Sequence, residues 1–257
     1  MPLITRSYQI DNIKKHFENI HIMPSLFASI FCIITFSVIF YMMDQYVINS
    51  SSSVFIFGIG SYMVYTTYFT IDYYLNIYSS SYQKCNMENK FYVLSNLIKS
   101  ALLFVYTPFA SIILYNAIYL DYWDNKFIKN LGSLYCIPDF ISLILVSKMQ
   151  NATYIHHICV CILTCITLLN DFNQINIWRS IVIYAIFSTF AYAVNFLLAS
   201  RYLNIKYSIK LFLTKSALFI YITCCGINWT WQSLYIYKLI SDNNNFFIYL
   251  YIFLMCL

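Results

Sequence analysis

Of the 257 residues, 61% are hydrophobic and only 10% charged, with a net charge of +5. A soluble domain carries about 25% charged residues, so this balance excludes an ordinary soluble fold and points to a chain that crosses a membrane several times. The Lys and Arg residues are spread over polar segments rather than massed in one tract, which excludes nucleic acid as a partner and leaves membrane lipid.

The apolar runs are apolar on consecutive positions, not on alternate ones as in a membrane β-barrel, so the fold class is all-α. Only four Gly and four Pro are present, which argues against long flexible linkers. Eight of the nine Cys fall in apolar runs, where thiols behave as small hydrophobes. No C-x-x-C spacing occurs, so neither a disulfide framework nor a metal site is expected.

In chain order, residues 1–23 form a polar segment with Arg6, Lys14 and Lys15, suited to a short amphipathic helix on the membrane surface. Residues 24–89 hold two leading spans, about 24–43 and 54–76, joined by a Ser-rich turn. A long loop is expected over 77–95, a third span over 98–120 and a loop over 121–131. Two short apolar runs, 132–147 and 154–170, then make a hairpin about a polar turn at 148–153. Each is near the lower limit of about 17 residues for crossing a bilayer. Further spans are expected over 177–200 and 211–237, and the C-terminal segment 241–257 holds an apolar run at 246–257 that is long enough to cross only partway. The total is seven transmembrane helices, or eight with the last run.

Counting Lys and Arg in the short loops sets an orientation. With a cytoplasmic N-terminus, that side receives nine basic residues (Arg6, Lys14, Lys15, Lys84, Lys90, Lys148, Arg201, Lys206 and Lys210), against three (Lys126, Lys129 and Lys238) opposite. The sequons at Asn49, Asn151 and Asn228 then fall close to the membrane, in the cytoplasm and in a span, so little or no glycosylation is expected.

The hairpin carries the groups a lipid-facing helix would not keep. Asp139 sits within the first arm, and a carboxylate inside a span costs about 2.5–3.5 kcal/mol on insertion scales, so it should face a protein interior or a wet cavity. Tyr135 lies four residues before it, on the same helix face. Pro138 between them can bend the helix and free a backbone carbonyl. His156 and His157, the only His beyond the N-terminal segment, open the second arm. Being adjacent, they point about 100° apart, so one should face the cavity while the other packs elsewhere. With the turn centred near 150, Asp139 would lie about 9 Å deeper than His156, so contact would need a bend, a tilt or a bridging water.

Asp72 and Lys99 fall near the same ends of adjacent spans and are expected to pair; Arg179 and Lys215 are expected to snorkel. Asn195 is a further cavity candidate. There is no Gly-rich phosphate loop, no G-x-S-x-G and no H-E-x-x-H.

Tyr135-x-x-x-Asp139, the basic turn residue Lys148 and His156-His157 opening an apolar helix together resemble the TLC-domain family, which includes the ceramide synthases. Ser95-Asn96-Leu97-Ile98-Lys99-Ser100 resembles the polar helix start of that domain, and Ser188-Thr189-Phe190 with Asn195 loosely matches its Ser-Thr-Pro-Phe helix, without the Pro. The resemblance covers about residues 90–240. It implies a barrel of six helices around a lipid cavity in the endoplasmic reticulum. It also implies acyl transfer, with His156, His157 and Asp139 catalytic, acyl-CoA as co-substrate and no metal or other cofactor. Tyr135, Lys148, Asn195 and Arg201 would then contact substrate. The H-D-x-x-D stretch of the ceramide synthase branch has no counterpart, since residues 178–190 read WRSIVIYAIFSTF. The chain therefore resembles a different branch, concerned with lipid homeostasis. The alternative is a module that binds lipid or handles membrane proteins without catalysis.

Overall fold

The computed structural model describes residues 53–147, 149–242 and 245–256. The expected surface segment 1–23 and first span 24–43, together with Asn49 and Lys148, lie outside the described residues.

Nine helices follow in order among the described residues: α1 Ser53–Tyr78, α2 Ser80–Gln83, α3 Met87–Tyr119, α4 Asn125–Leu145, α5 Asn151–Leu168, α6 Trp178–Thr189, α7 Tyr192–Ala199, α8 Tyr207–Asp242 and α9 Phe246–Cys256. Five of them (α1, α3, α4, α5 and α8) are long and apolar enough to cross a membrane. The α6–α7 pair makes a sixth if counted as one span broken by 49°. By length and composition this is a multi-pass membrane protein, as expected.

Two expected loops are largely helix. Asn86 caps α3 by accepting from the Asn89 backbone N–H at 2.9 Å, with Glu88 in the first turn. Asp124 caps α4 in the same way, accepting from Phe127 at 3.0 Å. Each cap satisfies a free amide at a helix start, so helix continues into polar sequence that hydropathy assigns to a loop. The expected loop 77–95 therefore holds α2 and the first turns of α3, and 121–131 holds the start of α4. The hairpin's first arm has 21 residues, not 16, and its second has 18. The segment 95–100 lies well inside α3 rather than at its start.

Helix α4 is the centre of the bundle, packed on α1, α3 and α5. Its approach to α1 is close: a Cβ on Gly60 would run into the Ile137 side chain. Helix α3 packs in turn on α6 and α7, and α8 closes against those two. The chain thus forms a curved wall, α5–α4–α3–α6/α7–α8, around an internal space. Pro138 leaves Leu134 O without its helical partner, and the Tyr106 hydroxyl of α3 donates to that carbonyl at 3.4 Å.

Candidate functional site

Most of α5 is exposed or half-buried, and His157 is its single buried residue. Its register explains what it meets. Asp139 lies six residues before the end of α4, and His157 six residues after the start of α5. The hairpin is therefore centred near 148, not 150, and the two side chains arrive at one level. His157 Nδ1 lies 2.8 Å from Asp139 Oδ1. The depth mismatch expected from the sequence disappears with that shift, and neither a bend nor a bridging water is needed. A turn further along, Cys136 and Cys161 form the next rung, with their sulfurs 3.6 Å apart.

Asp139 is fully buried. The Lys99 ammonium of α3 donates to its Oδ1, the same oxygen His157 approaches. This corrects the expected Asp72–Lys99 pair. Asp72 instead accepts from the Tyr82 hydroxyl at 2.6 Å, because α2 folds back beside the end of α1. Lys99 is the residue that sequence reasoning missed for the site. A Lys four residues after Ser95 was a usable signal, since both face α4. The Ser142 hydroxyl donates to Pro138 O at 2.6 Å, so Ser95 Oγ, 2.6 Å from Ser142 Oγ, must be the donor of that pair. Ser100 donates to Tyr192 O at 2.8 Å, tying α3 to the break between α6 and α7.

The cluster is not saturated. Among the described residues, Asp139 Oδ2 is buried without a hydrogen-bond partner, and His157 Nδ1 has no aligned one despite its closeness to Oδ1. Contacts of this kind tighten in many sites only when substrate arrives. Donor atoms of Asp139, His156 and His157 lie within 4.8 Å of one another, a spacing that could hold a metal ion. The Lys99 ammonium already sits on that carboxylate, however, and a second cation there would be repelled by it.

Beside the cluster is a cavity of about 800 Å³, within the roughly 300–1,000 Å³ of small-molecule sites. Lys99, Tyr135, His156, His157, Asn195 and Arg201 all line it. Both His thus face it rather than one, their ring centroids 5.7 Å apart, with His157 buried and His156 exposed. Asp139 stands behind His157 and is not itself in the wall. Of the expected site residues, Lys148 lies outside the described part of the chain.

Arg179 does not snorkel. It is buried where the 120–124 and 169–177 loops meet, donating to Phe172 O (2.8 Å), Asn173 O (3.0 Å) and Asp121 Oδ1 (3.1 Å). Its guanidinium also lies 4.6 Å over the Trp123 ring. No family model, curated protein or solved structure matches the chain.

Proposed function

We propose that this is a lipid-handling membrane protein of the TLC type, which takes a long-chain lipid into the cavity and uses His157 in acyl transfer. The observation that carries the reading is the single buried side chain of α5: a His against a fully buried carboxylate, at the wall of a cavity large enough for a lipid chain.

In this mechanism Asp139 orients His157 and stabilises the imidazolium that forms when its ring takes a proton from the attacking group. Lys99 offsets the carboxylate's charge in the resting state. His156, Tyr135 and Asn195 contact the substrate, and Arg201 with Lys148 attracts the anionic part of an acyl-CoA co-substrate. The nine-to-three distribution of basic residues supports a cytoplasmic N-terminus and cytoplasmic access, and the family resemblance supports the endoplasmic reticulum. A second reading, lipid binding without catalysis, is favoured by one observation: Lys99 already occupies Asp139 Oδ1.

The test is a lipid profile of cells expressing wild type, His157→Ala or Asp139→Asn, beside the thermal stability of each purified protein. A changed profile in both variants with stability kept supports acyl transfer. Three folded proteins with one shared profile defeat it in favour of binding alone.

A further inference from the structure

The cavity's far end carries polar groups that nothing above uses. Gln232 of α8 is buried and its Nε2 donates to Ser180 O at 2.8 Å. A carbonyl can only accept, so this bond fixes which end of the Gln232 amide is nitrogen. The same nitrogen lies 3.4 Å from Asn228 Oδ1, one turn back on α8, and the Tyr251 hydroxyl caps Gln232 Oε1 at 3.4 Å. Because Gln232 presents a donor, Asn228 must turn its oxygen toward it. The Asn228 NH₂ is then the free end.

Asn228 is 4% exposed, and it lines the cavity. No described residue accepts from its Nδ2. Two N–H donors therefore end in a pocket whose neighbouring wall is Tyr184, Tyr221, Cys224 and Trp229. The Ser180–Gln232 bond lies within the first turn of α6, so this end of the cavity is remote from Arg201 at the other. A buried donor left unmatched costs about 1–3 kcal/mol. A plain hydrocarbon tail reaching this depth would leave it so.

We propose that this end of the cavity selects a chain bearing a hydrogen-bond acceptor, a hydroxyl or carbonyl oxygen on the inserted part of a long-chain lipid, and that Asn228 recognises it. This rests on the lipid-binding reading above and names the class of lipid. The fixed amide gives it a direction: an acceptor is favoured and a group able only to donate is not.

The full-length protein in phosphatidylcholine nanodiscs would be titrated with palmitate, a mid-chain hydroxypalmitate, a mid-chain oxopalmitate and ω-hydroxypalmitate, each displacing a fluorescent fatty acid. At least one oxygenated probe should bind about tenfold more tightly than palmitate, the effect of one matched hydrogen bond. That preference should vanish in Asn228→Leu while palmitate affinity holds or rises. Equal affinity for all four probes in wild type would overturn the inference, and needs no variant to fold. A preference that survives in Asn228→Leu would overturn it too. In both cases the lipid-binding reading stands. If no probe displaces the reporter, that reading fails as well.

Discussion

Among the described residues, the Asp139 cluster and the Arg179 knot are the two places where a charge is buried, and they are built differently. Arg179 is a closed account: three of its nitrogens each donate to an oxygen, two of these are backbone carbonyls, and an indole covers the face. Its role ends at holding two loops against the start of α6. Asp139 crowds a cation and an imidazole onto one oxygen and leaves the other without a partner. A buried polar group left unsatisfied next to a cavity is a poor way to hold helices together. The difference teaches that burial of a charge does not identify a site; incomplete satisfaction beside an open volume does.

The largest effect should come from breaking the charge balance of the cluster. Lys99→Met leaves the Asp139 carboxylate buried without its cation, which should cost about 3–5 kcal/mol and lower the thermal midpoint sharply. The double variant Lys99→Met/Asp139→Asn removes both charges and should recover most of that loss. A double variant no more stable than Lys99→Met alone would mean the two residues are not energetically coupled. Arg179→Leu should come next, at about 2–3 kcal/mol, since it strands two backbone carbonyls but leaves only the exposed Asp121 uncompensated. Lipid binding in the cavity should survive it. Loss of binding in a folded Arg179→Leu protein would erase the distinction between the two clusters.

His157→Ala should change stability less, since hydrogen bonds between membrane helices average about 0.6 kcal/mol. Asp139→Asn leaves the Lys99 ammonium without its carboxylate, though at the cavity wall, and should fall between Lys99→Met and His157→Ala. Their effect belongs to the chemistry: loss of a positioned general base typically costs about 10²–10⁴-fold in rate. His156→Ala, exposed in the cavity, should do less than His157→Ala. The reverse order would make His156 the reacting group.

The all-helical membrane fold was legible because runs of about 20 apolar residues have few other uses. Asp139 and the His pair were legible for the converse reason, as groups too costly to leave in lipid. What hydropathy could not show was where helices extend into polar sequence. The caps at Asn86 and Asp124 decide that, and a span-by-span reading places their first turns in loops. The hairpin register depends on where α4 ends and α5 begins, at Leu145 and Asn151, which hydropathy also blurs, so the meeting of Asp139 with His157 was misjudged by a few residues. Lys99 was assigned to Asp72 because the two lie at matching ends of consecutive spans. The true partner depended on α2 folding back to give Asp72 the Tyr82 hydroxyl. Gln232 gave no signal, as one of two amides in a 36-residue helix.

The smallest effect tests the knot at its rim. Asp171 is exposed, and its carboxyl is held below the usual carboxylate range, first by the Asn173 backbone N–H at 3.0 Å and then by the Asn125 amide. A carboxyl depressed on folding binds fewer protons in the folded chain, so it adds stability above its unfolded pKa of about 3.9. That contribution fades as the pH falls through the lower, folded value. Asp171→Asn keeps an acceptor oxygen but not the charge. Wild type should therefore melt slightly above Asp171→Asn at neutral pH, and the gap should close on acidification. Thermal midpoints of the two proteins across that range decide it. A gap that is unchanged in acid would mean that Asp171 supports the loop by shape and hydrogen bonding, with no contribution from its charge.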